Sequence, residues 1–582
     1  MSSPVESRFA FYNANYRKSA KSFNDRLRYY NKHGVVHSTD IYPINTKSEK
    51  RIRKMSAIFR TRPNWMSLIK DQLTINNWTD EAKAEGLTID EIHHVFDELR
   101  CYEAMHVEDS NVFISAVDRV WFSDMAIDSN TANLLQTQVA DLENVPAAHQ
   151  DWYPLCDAKK TVLSLVDPSL FLLSYERSGI APKPIPSASE SLNFETYGSF
   201  PQTLSNWKKA AAASMGTNTS ELPIHVPLAS TWSASPHYSW LPSEFYVAED
   251  GETTIQSYIN NLHPTKHSAM YSTIAAIFKN VVPIFEQVVT DAVYLSPPRV
   301  IAEASGWYIV HEEMPTDYNS SDYAEKIEKW RQKSEFLEPQ PDTRAKFLRP
   351  IPPQCLRNRR LQVVVRMYNV ALTPEMPEYP GTEWYAETMS NERIIAVCVC
   401  CYSEENVTQG TIEFRERVKN SVEYVEGDKL GLNLVYGIFQ NMAQDLEILR
   451  QHVGHVEFTQ GRCIGFPNSY QHKMSSFRLQ DPSKPGHRKM LVYYLVDPSV
   501  RIPSTETVPP QQKSWWAEKA LKNKPLCDLP LIIQENIVRN VSFPLSFEDA
   551  VRIRQKADEE RSARNAHATR AYFEPHFFYQ DD

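Results

Sequence analysis

The chain has 582 residues, 42% of them hydrophobic, which is enough apolar material for a large core and more than one domain. Its formal charge of −10 excludes general nucleic-acid binding, because neutralising phosphates needs a broad basic face; the basic run from Lys47 to Arg62 reads as a solvated helix. Eight cysteines are too few for a disulfide scaffold. A polar N-terminus and the lack of a long apolar run predict an intracellular, cytoplasmic protein with no membrane segment.

In chain order, the first clear element is a helix opened by the capping box Thr88-Ile-Asp-Glu91 and running through Leu99, with His93 and His94 on its solvated face. Met270, Ile274, Ile277, Phe278, Val281 and Phe285 recur every three or four residues and predict a core helix from about His267 to Glu286, preceded by a loop. Prolines cluster at Pro182 to Pro186 and Pro350 to Pro353, as in ordered connections.

From Leu361 the pattern changes to short strand-like runs: Leu361 to Val370, Trp384 to Met389, Arg393 to Tyr402, Gly410 to Val418, Val456 to Phe466, Ser469 to Phe477 and Lys489 to Val496. Runs of this length with turn residues between them suit a barrel or jelly roll. Leu430 to Val453 reads as a helical insertion outside it. Cys398 and Cys400 fall on one strand face and Cys401 on the other, which is packing rather than a zinc cluster. His455 and Glu457 open the strand that ends at Phe466 and belong at its rim. Ser546-Phe-Glu-Asp549 caps a final helix whose charges face solvent. The expected class is α+β, with a helical region at 1–150, a helical or mixed connecting region at 151–350, a strand-rich core at 351–512 and a helical extension at 513–582.

Two segments carry chemistry. His472 lies in an extended run after Asn468, and Arg488 opens the next apolar run beyond the turn Asp481-Pro-Ser-Lys-Pro-Gly486. A hairpin would bring an imidazole, the commonest protein metal ligand, near a guanidinium, which grips carboxylates through two hydrogen bonds. Arg488 could equally pair with an acidic neighbour, and Arg478 and Lys489 are the next candidates for an anion. In Trp384-Tyr-Ala-Glu-Thr388, two-residue spacing puts Tyr385 and Glu387 on one strand face.

These strands resemble the closing strands of the double-stranded β-helix, or jelly roll, of non-haem Fe(II)/2-oxoglutarate-dependent oxygenases. More closely, Asp151-Trp-Tyr-Pro154, Val166-Asp-Pro-Ser-Leu170, Trp240-Leu-Pro-Ser-Glu-Phe245, Ser257-Tyr-Ile-Asn-Asn-Leu-His-Pro264, Leu361-Gln-Val-Val-Val365, Pro377-Glu-Tyr-Pro-Gly381 and Val508-Pro-Pro-Gln-Gln512 resemble a largely fungal family known as domain of unknown function 4246. The resemblance implies iron held by a His-x-Glu pair and a distal histidine, 2-oxoglutarate held by Arg488, and a small-molecule substrate, with a role in fungal specialised metabolism. Here Glu387 and His472 occupy two ligand positions, but Tyr385 stands where the family has histidine.

A phenol of reference pKa about 10 must lose its proton before it ligates well. Three outcomes stay open: a two-ligand site completed by water, a tyrosinate site, or no metal. Tyr258, Asn260, Asn261 and Asn391 are candidates to face the substrate, or else turn-forming residues. Oxidation of a metabolite is the first functional expectation. Non-oxidative cyclisation, isomerisation or another rearrangement with Tyr385 and Glu387 as proton-transfer groups, or metabolite binding without catalysis, is the alternative.

Overall fold

The computed structural model describes residues 44–573, apart from 107–110, 147–149, 153–160, 182, 194–234, 294–297, 310–312, 314, 318, 342–352, 388, 418–427, 439–449 and 542–543. The polar N-terminus, Pro182 and the prolines at 350 and 352 lie outside the described residues.

The front of the chain is helical: α1 (Lys47–Arg60), α2 (Gln72–Ala84) and α3 (Ile89–Ala104). The α3 capping box forms as expected, the Glu91 N–H donating to Thr88 Oγ1 at 3.2 Å and the Thr88 N–H to Glu91 Oε2 at 2.9 Å. The helix runs past Leu99 because buried Tyr102 and Met105 continue its apolar stripe. His94 is buried, so the solvated histidine pair reduces to His93. The basic run on α1 is likewise not all solvated: Arg60 is buried and Arg53 turns inward, each held by a carboxylate brought from elsewhere in the chain.

Strands β1 (Phe113–Ile114) and β2 (Trp121–Ser123), helix α4 (Ser129–Glu143), then β3 (Asp151–Trp152), β4 (Val162–Val166), β5 (Ser243–Val247) and β6 (Thr253–Ile255) lead to the long helix α5 (Ser268–Val293). After it come β7 (Arg359–Leu372), β8 (Glu378–Tyr379), β9 (Ile394–Glu405), β10 (Gly410–Arg417), α6 (Lys429–Tyr436), β11 (Arg450–Phe458), β12 (Cys463–Pro467), β13 (Gln471–Met474), β14 (Phe477–Arg478) and β15 (Gly486–Val496). Helices α7 (Lys513–Ala520), α8 (Leu531–Asn540) and α9 (Phe547–Phe573) complete the mixed α and β architecture.

One large antiparallel sheet has the order β1-β2-β12-β9-β15-β7-β4-β3, with β5 also pairing β7 and β6 pairing β5; a second sheet has the order β11-β10-β13. Alternation on β15 explains how the layers stack. Leu491, Tyr493 and Leu495 face outward onto Ile274, Ile277, Phe278, Val281 and Ile284 of α5. Met490, Val492 and Tyr494 face inward onto Ile412 and Phe414 of β10 and Val456 and Phe458 of β11. Cys398 and Cys400 belong to the outer cluster and Cys401 to the inner one, as alternation predicts. Helix α5 is long and apolar enough to cross a membrane by length and composition, yet its apolar face is the one that covers the large sheet.

Three sequence expectations change. The run from Val456 to Phe466 is two strands in different sheets, broken where Gly461 takes a positive φ of 85°. The segment Trp384 to Met389 is not a ladder strand; Tyr385 makes a single bridge to His472. Within the expected helical insertion, α6 ends at Tyr436, because Gly437 adopts the left-handed conformation that terminates helices; 439–449 lie outside the described residues, and Arg450 to Val453 belong to β11 rather than to a helix.

Candidate functional site

His472 sits on β13 opposite Phe414 of β10. On its other side the Tyr385 N–H donates to the His472 carbonyl at 3.1 Å, and the His472 N–H donates back at 2.9 Å. This reciprocal pair fixes the two side chains beside each other, with ring centroids 4.3 Å apart at 51°. The Phe466 ring stands 4.7 Å from the imidazole. His472 is 3% exposed, and burial alone pulls its pKa down to about 3, so the ring is neutral at ordinary pH. Its Nδ1 has no hydrogen-bond partner among the described residues, and such a buried orphan is a natural place for a ligand atom or water.

Two residues beyond Tyr385, the Glu387 backbone is clamped by Asn468. The Glu387 N–H donates to Asn468 Oδ1 at 3.0 Å, while Asn468 Nδ2 donates to the carbonyls of Glu387 at 2.8 Å and Ile394 at 3.0 Å. Asn468 therefore ties the turn before β13 to the segment carrying Glu387. The Glu387 side chain points to Arg561 of α9, whose Nη1 lies 3.4 Å from Oε2. Arg561 holds Glu392 more closely, at 3.0 and 2.6 Å. Burial pushes Glu387 up to about 7, the Arg561 guanidinium pulling down and the Glu392 charge pushing up. Desolvation thus outweighs the cation, because Arg561 is mostly engaged by Glu392.

Burial, with lesser contributions from Tyr494, Tyr368 and Glu387, holds the Tyr385 phenol well above its usual range. It is a proton-bearing donor at every physiological pH.

Arg488 lies on β15, 1% exposed, opposite Val370 and Glu404. Its Nε donates to Glu404 Oε2 at 2.7 Å and its Nη2 to the Thr408 carbonyl at 3.1 Å, with the guanidinium 4.2 Å above the Phe477 ring. Gly410 makes room for it, since a Cβ there would strike Nη1. The acidic neighbour weighed from sequence is Glu404. Lys489 is paired with Glu143 at 2.6 Å, and Arg478 is exposed on β14.

The amide candidates hold backbone. Asn260 Nδ2 donates to the carbonyls of Leu170 and Phe171, and Asn261, at φ 68°, donates to those of Asp167 and Leu170. The Tyr258 hydroxyl donates to the Val508 carbonyl at 2.9 Å. Asn391 donates to Tyr238 O at 2.9 Å and accepts from the Ser235 N–H at 3.1 Å. None of these contacts involves Tyr385, Glu387 or His472.

Sequence reasoning missed Arg561. Its helix read as a solvated charged face, whereas Ala550, Arg554, Ala557, Asp558 and Arg561 make one inward stripe, with spacings of four, three, one and three residues. That spacing was the available signal.

As arranged, the donor set does not fit a ferrous ion. The facial triad of such a site presents three deprotonated donors around open positions. Tyr385 carries a proton that a metal would have to displace, and the Glu387 carboxyl is turned to a guanidinium. Among the described residues no three His, Cys, Asp or Glu side chains gather as a metal-binding group. What the arrangement offers is a phenolic donor, a carboxyl poised near neutrality and a neutral imidazole.

A family model described as "Protein of unknown function (DUF4246)" matches residues 90–519. Among curated proteins none matches this chain. Two solved structures are similar over part of it. One is the selenomethionine-labelled Fe(II)/α-ketoglutarate-dependent dioxygenase TqaL, at 9% identity over 46% of this chain and 70% of that one, with a TM-score of 0.19. The other is a bsmA homologue from Methylobium petroleophilum PM1, at 11% identity over 51% and 89%, with a TM-score of 0.17. Likeness this slight carries neither topology nor activity across.

Proposed function

We propose, for a chain that belongs to the DUF4246 family of proteins of unknown function, that it is an enzyme acting on a small organic molecule by proton transfer, without oxidation. The scaffold would be a double-stranded β-helix, and the working site would be the buried group of Tyr385, Glu387 and His472. Tyr385 and Glu387 are its acid and base. The observation that carries the reading is the pairing of a phenol held fully protonated with a carboxyl pushed up to about 7. Groups whose environments drive their pKa values apart can divide donor and acceptor roles, and a base near neutrality balances availability against proton affinity. The neutral His472 orients the Tyr385 ring and offers an unused ring nitrogen to a polar group of the ligand. Cyclisation or isomerisation of a metabolite is the reaction class that needs only these groups.

The test is incubation of the full chain with cell metabolite extract, with oxygen, iron and 2-oxoglutarate left out, followed by mass spectrometry. A product isomeric with its substrate, lost in Glu387→Gln and strongly slowed in Tyr385→Phe, is the expected result. Turnover that requires all three omitted reagents and adds oxygen to the product would overturn it.

The oxygenase reading shares one observation with this one, the orphaned Nδ1 of His472 in the distal-ligand position of the resemblance. On that reading Glu387 and His472 would hold Fe(II), and Arg488 would bind 2-oxoglutarate after leaving Glu404. Succinate release is its signature.

A further inference from the structure

Helix α9 lies beyond the last residue matched by the family model, yet its Arg561 reaches Glu387. A docking helix ordinarily buries an apolar stripe. This one buries small and charged residues, with Ala550, Arg554, Ala557 and Asp558 between 1% and 7% exposed. Arg554 meets Asp151 at 2.5 and 2.8 Å and Asp167 at 3.0 Å. Glu560 accepts from Ser235 Oγ at 2.9 Å.

Arg561 is seated by groups that are themselves fixed. Its guanidinium lies 4.1 Å from the centroid of the Trp240 ring, and the Trp240 N–H donates at 2.9 Å to Glu392 Oε1, which also accepts from Arg561. Trp240 is anchored in turn through its indole N–H to Ser169 Oγ at 3.0 Å. Stacked and held by two bonds to Glu392, the planar fork has little freedom, and its Nη1 is presented to Glu387 Oε2. Lysine could supply charge here but not that fixed direction.

We propose that Arg561 is a positioning residue for Glu387, so that the C-terminal helix is a working part of the chamber rather than an appendage. The guanidinium separates two buried carboxylates and sets the direction in which Glu387 presents its free oxygen. This rests on Glu387 being a working group of the chamber, as proposed above.

The experiment compares full-length wild type, Arg561→Ala, Arg561→Lys and Glu387→Gln by infrared difference spectroscopy at alkaline pH, with Glu387→Gln assigning the Glu387 carboxylate bands. Hydrogen exchange of the fragment containing the Glu387 amide is measured alongside. Expected are shifted Glu387 bands in both Arg561 variants and faster exchange of that fragment in Arg561→Ala, with Arg561→Lys restoring exchange protection but not band position. Should Arg561→Ala fail to fold, the band position in Arg561→Lys decides. Bands identical to wild type in a folded Arg561 variant, with exchange changes confined to α9, would overturn the proposal. Loss of turnover in Glu387→Gln together with that result would leave the chamber reading standing; unaltered turnover in Glu387→Gln would sink the chamber reading whatever Arg561 does.

Discussion

The two ionisable groups beside Tyr385 bias stability in opposite pH directions. Glu387 has its folded pKa raised from 4.5 to about 7, so its protonated form is favoured by folding. That contribution is complete below 4.5 and is lost as pH rises through about 7. A shift of this size corresponds to about 3 kcal/mol. Glu387→Gln should therefore be more stable than wild type at alkaline pH by up to about 3 kcal/mol, the gap closing in acid; denaturant unfolding at the two pH extremes measures it, and a pH-independent gap would count against the burial assigned to Glu387. His472 runs the other way. Its pKa falls from 6.5 to about 3, so its contribution is present above 6.5 and is lost as pH falls towards 3. His472→Phe keeps a ring of similar size and should blunt acid unfolding in that window. At this scale the sequence was partly legible. The spacing of Tyr385 and Glu387 and the motif around His472 pointed to one site, but the guanidinium that meets Glu387 comes from 174 residues away, and only packing reveals that.

The central elements were legible because their periodicity is strong: β7, β9 and β15 lie within a few residues of their sequence expectations, and α5 starts where expected but runs past Glu286 to Val293. What escaped was the breakpoints. Gly461 divides one expected strand between two sheets, and the polar stretch Thr459-Gln-Gly-Arg462 around it was the signal of the break. The close fit of α5 on the large sheet gives a prediction of its own. Gly465 of β12 faces Ile284 so closely that a methyl group would collide with it. Gly465→Ala should cost about 1–3 kcal/mol, as overpacking does. A thermal melt checks this, and an unchanged midpoint would mean that α5 sits further from the sheet.

Across the whole molecule, the helical front is fastened to the second sheet by buried charge. Arg299 reaches Glu98 of α3 at 2.5 Å and Asp118 at 2.7 Å, and Arg60 of α1 reaches Asp118 at 2.8 Å. Arg53 of α1 reaches Glu416 of β10 at 2.9 Å, and Arg119 joins the same carboxylate. Composition could not show this: the run from Lys47 to Arg62, which carries Arg53 and Arg60, reads as a solvated helix until its partners are known. Removing one member leaves an uncompensated buried charge, so Arg299→Met should destabilise by about 3–5 kcal/mol, measured as a lower denaturant midpoint; a loss below about 1 kcal/mol would place the network among ordinary surface pairs.

The chamber itself is tested most directly by anaerobic titration of purified wild type and Tyr385→His with Fe(II), with bound iron counted after gel filtration. With Tyr385 keeping its proton and Glu387 turned to Arg561, wild type should retain no stoichiometric iron, while Tyr385→His, given back an imidazole beside His472, should retain more. One tightly held iron per wild-type chain, with the same affinity in Tyr385→His, would contradict the proton-transfer account.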